Sequence, residues 1–101
     1  MKYKKALENI VMIKWEDSYG VETGWRNISD YSADSLIINS VGKIIYEDNK
    51  VISLAHNFAS ETNNTPMQAN GIMVIPKACI VEIISFSSCQ VLASKQKQQQ
   101  I

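Results

Sequence analysis

From Ile10 the chain alternates, with Val11, Ile13 and Trp15 on one side and Met12, Lys14 and Glu16 on the other. A period of two is that of a half-buried strand, and the Asp17-Ser18-Tyr19-Gly20 cluster supplies the turn that ends it. Apolar positions resume at Leu36-Ile37-Ile38 and continue through Val41 to Ile45, with Gly42 in the middle. A glycine there marks a sharp bend or bulge. Glu47-Asp48-Asn49-Lys50 reads as a hairpin turn, because Asp and Asn bond their own backbone and tolerate positive φ. A third strand returns over residues 51–56, a fourth covers 71–75, and a fifth covers 80–86. Pro76 opens a single helical turn between the last two.

Residues 20–33 hold two glycines, Trp25 and several polar groups, and predict an ordered loop with at most a short helix capped by Ser29 or Asp30. Residues 60–70 have no apolar periodicity and predict a flexible loop. Residues 2–9 are too brief to assign. Beyond Ser87 the chain is polar and glutamine-rich, and reads as disordered unless a partner covers Val91 and Leu92. The expectation is a mostly β fold: a small, strongly bent, antiparallel five-stranded barrel over residues 1–87, followed by a polar tail, 88–101. Ile13, Ile38, Ile45, Ile52, Leu54, Val74, Ile83 and Ile84 are its expected core.

A length of 101 residues with 46% hydrophobic content suits one domain with one modest core. Ten basic residues balance ten acidic ones, so no global field draws nucleic acid or an anionic membrane. Lys2, Lys4 and Lys5 resemble the start of a secretory leader, but the apolar run 10–13 is too short and Lys14 ends it. No run approaches the roughly 20 apolar residues of a membrane span, so a cytoplasmic chain is expected. Cys79 lies among apolar residues and is expected as an inert thiol, not as the disulfide partner of Cys89. Asn27-Ile28-Ser29 and Asn63-Asn64-Thr65 match the glycosylation pattern by chance.

Catalytic chemistry has little to draw on. His56 is the only histidine and shares a strand with Ile52 and Leu54, which suggests a structural role. No metal-ligand spacing exists, and the adjacent carboxylates Glu16-Asp17 and Glu47-Asp48 point to opposite faces of a strand. No metal, no cofactor and no enzymatic activity are therefore expected. The glycines at 20 and 24 lack the Lys-Ser/Thr of a phosphate loop. The best functional candidate is Trp15-Glu16-Asp17-Ser18 followed by Gly24-Trp25-Arg26. Aromatic faces stack on bases, Arg pairs with phosphate, and Asp accepts from hydroxyls or amines. Trp15 also continues an apolar face, which suits core packing, and Trp25 suits either a plug for the barrel end or a site lining. Asn57 and Lys77 join the candidates because they lie where strands end, giving Asp17, Ser18, Trp25, Arg26, Asn57 and Lys77 as the expected ligand-binding set.

The succession Trp15-x-Asp17-Ser18, Gly24-Trp25, Ser40-Val41-Gly42, Glu47-Asp48, Ile52-x-Leu54-Ala55 and Gly71-Ile72-Met73-Val74-Ile75-Pro76-Lys77-x-x-Ile80 resembles a group of small uncharacterised tailed-phage proteins. The order of strands and the Pro-led turn is similar to the Sm-like fold of bacterial RNA chaperones. The chain departs from those chaperones in having a Trp-rich loop where they have an N-terminal helix, and in lacking their basic-histidine pattern in the Pro-led turn. The resemblance implies a phage context and supplies no activity; the expectation drawn beside it is a non-enzymatic, homo-oligomeric protein whose Trp25, Arg26 and Asp17 hold a small nucleotide-like ligand, as phage proteins that capture host immune signals do. Two alternatives stand beside it: an Sm-like RNA-binding ring, opposed by net neutrality, and a protein-interaction or structural module using the hairpin edge or the tail.

Overall fold

A computed structural model describes residues 8–86 and Ala93. It contains five strands, β1 (Ile10–Asp17), β2 (Leu36–Glu47), β3 (Val51–Ala59), β4 (Gln68–Pro76) and β5 (Ile80–Ser85), with 3₁₀ turns at Ile28–Asp30 and Lys77–Cys79. The strands form one sheet in the order β4-β3-β2-β1-β5, every neighbouring pair antiparallel. β4 and β5 are its two edges and share no ladder, so the sheet stands open where a closed barrel was expected. The expectations for residues 2–7, Cys89 and the tail 88–101 lie outside the described residues, apart from Ala93.

β2 organises the sheet by serving two ladders in succession. Its first part, from Leu36 opposite Asp17 to Lys43 opposite Ile10, pairs with β1. From Lys43 opposite Ala55 to Glu47 opposite Ile52 it pairs with β3, with a bulge between Ile44 and Tyr46. The handover falls at Gly42, where a Cβ would stand 2.5 Å from the Ala55 carbonyl oxygen and 2.9 Å from Leu54 Cγ. Only a residue without a side chain lets β2 cross β3 this closely.

Val11, Ile13, Ile52, Leu54 and Ile75 form the buried core, with Trp15, Ile44, Met73 and Ile80 packed against it. Ile13, Ile52 and Leu54 were expected there; the other five expected residues are not buried, for identifiable reasons. Ile45 lies at the β2–β3 bulge. Val74 stands opposite Ser53 and Ile84 opposite Met12, on the outer face. Ile83 stands opposite Ile13, on the inner face, but β5 is an edge and no further strand among the described residues lies beyond it. Ile38 is half-buried. Ser40 and Ser53 are the buried polar residues; Ser40 stands opposite Ile13, and its Oγ accepts from Trp15 Nε1 at 3.1 Å and donates to Met73 Sδ at 3.7 Å.

β3 and β4 are longer than their apolar runs. Asn57, Phe58 and Ala59 pair with Asn70, Ala69 and Gln68, extending the hairpin past the point where β2 leaves it. His56, at that point, donates Nδ1–H to the Val41 carbonyl at 2.8 Å. The connection after β3 is correspondingly shorter, and Thr62 Oγ1 closes a turn within it by accepting from the Asn64 and Thr65 amides.

Candidate functional site

Asp17 stands opposite Leu36, so the chain leaves the β1–β2 ladder at one point and re-enters it there after residues 18–35. A connection this long inside a small domain is usually functional. Its ends are tied by Tyr19, whose hydroxyl donates to the Asp34 carbonyl at 2.7 Å. The 3₁₀ turn at Ile28–Asp30 is held by Asp30 N–H to Asn27 O at 3.2 Å and Tyr31 N–H to Ile28 O at 3.1 Å. Ser29 and Asp30 cap nothing: the turn's first residue follows Asn27, and no side chain bonds its amides. Gly24, with φ of 138°, occupies a conformation that L side chains rarely adopt.

The folded loop borders an open groove of about 480 Å³ lined by the exposed residues Tyr19, Val21, Arg26, Asn27, Asp30, Tyr31 and Ser32. That volume is in the range of small-molecule sites. Arg26 is the only cation of the loop. Two phenol rings, a guanidinium, an amide, a hydroxyl and a carboxylate make a lining able to stack on a planar ring, pair with one anionic group and accept from amines or hydroxyls. No histidine or cysteine belongs to it. Among the described residues, no group of three or more His, Cys, Asp and Glu is placed to hold a metal ion.

The six residues proposed from sequence are dispersed. Arg26 alone lines this groove. Trp25 is 104% exposed and is not part of the lining. Asp17 accepts from the Ser18 amide at 2.8 Å, a local turn bond at the loop's entrance. Trp15 packs against the core and does not join Trp25. Asn57 lines a second cleft of about 360 Å³ with Phe58, Ala59, Gln68, Ala69 and Asn70, on the extended β3–β4 ribbon. Lys77 pairs with Glu47 at 2.7 Å, while its amide donates to the Lys50 carbonyl at 2.8 Å, fastening the Pro-led turn to the β2–β3 hairpin. Tyr19 and Tyr31 were missed. Their signal was present as two aromatics flanking Gly24-Trp25-Arg26 in a segment with no strand periodicity.

The hairpin is the best-bonded polar cluster. Asp48 Oδ1 accepts from the Lys50 and Val51 amides at 2.7 and 2.9 Å, and Oδ2 accepts from the Tyr46 hydroxyl at 2.9 Å. These bonds, the Lys50 amide first, hold the Asp48 carboxyl below the ordinary aspartate value, and the bond to Asp48 raises the Tyr46 phenol. Such bonds stabilise a turn and leave no reactive group free. No helix among the described residues is long and apolar enough to cross a membrane. No family model, curated protein or solved structure matches the chain.

Proposed function

We propose that the chain is a non-enzymatic binding module whose loop groove holds a small planar ligand with one anionic group, a nucleotide-like molecule. The observation that carries this is the lining itself: Arg26 is its one cation, set beside two tyrosines, with Asp30, Asn27 and Ser32 for polar edges. In the phage setting that the motif order suggests, capture of a host nucleotide signal in the host cytoplasm is the role this reading supplies. The module is homo-oligomeric, and its edge strands are the contact. β4 exposes Ile72 and Val74, and β5 exposes Val81, Ile83 and Ile84. Edges this apolar call for covering, and pairing between β4 of one copy and β5 of another supplies the closure that an Sm-like barrel has.

The test is thermal shift with adenosine monophosphate and with cyclic dinucleotides as probes. A ligand at a hundredfold its Kd adds about 2.7 kcal/mol, which raises Tm by roughly 10–20 °C in a domain of this size. Arg26→Ala and Tyr31→Ala are expected to abolish the shift with little change in the unliganded Tm. Failure of every nucleotide probe to move Tm would refute the reading. A second reading, a protein-interaction module, is favoured by the exposure of Trp25 and Ile28, since Trp and Arg are the commonest anchors of interfaces. The RNA-ring reading is opposed by charge. The chain carries ten cations against ten carboxylates, a net charge of zero, and RNA binding draws most of its affinity from cations on phosphates.

A further inference from the structure

The neutrality of the whole chain conceals a separation of charge. All ten carboxylates lie within residues 8–86, whereas Lys2, Lys4, Lys5, Lys95 and Lys97, half of the ten cations, lie in segments 1–7 and 87–101, which contain no Asp or Glu. The sheet register puts the points where the lysine-bearing segments join the sheet and the point where the 18–35 loop leaves it at opposite ends of β1. Ile10 stands opposite Lys43, Val11 stands opposite Ser85, and the Phe86 amide donates to the Ile10 carbonyl at 3.2 Å, so both lysine-bearing segments leave from the Ile10 end of β1. The 18–35 loop leaves from the Asp17 end. A strand of this length, Ile10–Asp17, separates the two ends by about 24 Å.

Residues 16–35 carry five carboxylates, Glu16, Asp17, Glu22, Asp30 and Asp34, and one cation, Arg26; Lys77, which precedes Ile80 opposite Trp15, is paired with Glu47. Among these carboxylates stand two large apolar side chains that no described residue covers, Trp25 at 104% and Ile28 at 90% exposure. The lysine-bearing segments hold the opposite mixture: Tyr3, Leu7, Val91 and Leu92 among lysines. An exposed apolar pair ringed by one charge fits a surface of apolar groups ringed by the other.

We propose that the Trp25–Ile28 loop of one copy docks on the lysine-bearing segments of a second copy, so that the chain associates head to tail. The contact joins two different surfaces, so it is heterologous and either closes a ring or runs on as a filament. It is independent of both the groove ligand and the pairing of edge strands, and salt separates it from the latter. Exposed charges are screened beyond about 10 Å at 0.1 M salt and about 3 Å at 1 M, whereas a β ladder between apolar edges is nearly indifferent to salt.

The experiment is sedimentation velocity on the full chain in 25 to 500 mM NaCl, with two charge-reversed variants. Glu22→Lys with Asp34→Lys alters the loop at two exposed positions, and Lys4→Glu with Lys5→Glu alters the N-terminal lysine-bearing segment. The wild-type mass is expected to fall as salt rises, and each variant alone is expected to associate about tenfold more weakly at 25 mM. An equimolar mixture of the two variants pairs the unaltered loop of one with the unaltered lysines of the other, and the reversed loop with the reversed segment, and is expected to recover salt-sensitive association. Trp25→Ala is expected to weaken association at every salt concentration. An assembly unaffected by salt and by both reversals, but dissolved by Val74→Lys, would belong to the edge strands and overturn the proposal. Loss of association in the variants without recovery on mixing would place the contact within one chain and overturn it equally.

Discussion

The β2–β3 hairpin and the 18–35 loop both connect neighbouring antiparallel strands, and they are built on opposite principles. The hairpin spends one side chain, Asp48, on two backbone amides and a phenol, and Lys77 fixes it to the next turn through Glu47 and Lys50. Its flanking strands carry Ile52 and Leu54 straight into the core. The loop is closed by Tyr19 on the Asp34 carbonyl and by one 3₁₀ turn, contributes nothing to the core, and turns Trp25 and Ile28 outward. A connection that is satisfied internally has nothing left to offer a ligand. The loop has an arginine, two phenols, a groove and exposed apolar groups to offer.

The comparison breaks hardest at the core beneath the hairpin. Leu54→Ala removes a side chain with no exposure at the centre of the cluster and is expected to destabilise by about 2–5 kcal/mol in chemical denaturation. Next comes Gly42→Ala. The new methyl meets the Ala55 carbonyl at 2.5 Å, a backbone atom that cannot move aside without disturbing the two ladders of β3. A loss of about 1–3 kcal/mol is expected, while alanine at Gly20, where a Cβ meets nothing within 4 Å, should be almost silent. Smaller again is Trp15→Phe, which keeps an aromatic ring but leaves Ser40 Oγ without the indole donor. About 1 kcal/mol is expected, and Trp15→Phe combined with Ser40→Ala should lose less than the sum of the two.

Why one region was readable from sequence and the other was not follows from the same contrast. The strands, the Gly42 handover, the Asp48 turn and the Pro76-led 3₁₀ turn all follow from local pattern, because each is fixed by alternation or by one residue's backbone preference. Which apolar residues are buried was only half legible. Alternation assigns a face, but whether that face is covered depends on strand order, so Ile83 shares Ile13's face and is exposed on an edge. The extension of β3–β4 through Asn57 and Asn70 was hidden because cross-strand amides carry no apolar signal. In the loop, sequence located the segment and Arg26 but not the lining. Nothing periodic decides which of Tyr19, Trp25 and Tyr31 turns inward.

The pH profile offers a finer comparison. Asp48 titrates below its ordinary value of 3.8 because the folded hairpin stabilises its charged form. Its contribution is therefore complete above that value and is lost as pH falls through the lower, folded value. Tyr46 is raised by its bond to Asp48, so its contribution is complete below its ordinary value of 10.0 and is lost as pH rises through the folded one. Acid unfolding monitored with Asp48→Asn should show a flatter stability profile below pH 4 than the wild type. A reversal of that order would mean the carboxylate is not bonded as described.

The smallest effect on stability is expected at Trp25, which makes it the sharpest probe of the loop. Trp15 and Trp25 are the only two tryptophans, one half-buried against the core and donating to Ser40, the other fully exposed. Trp25→Phe should leave a single, blue-shifted emission from Trp15 and change the unfolding free energy by less than about 0.5 kcal/mol, the usual range for an exposed position outside any special contact. The measurement belongs at 500 mM NaCl, where contact between copies through charged segments is screened. A loss above about 1 kcal/mol at that salt would mean that the tryptophan packs onto its own domain in solution. The loop would then be a second buttress like the hairpin, and its exposed aromatic could no longer be read as an anchor for anything else.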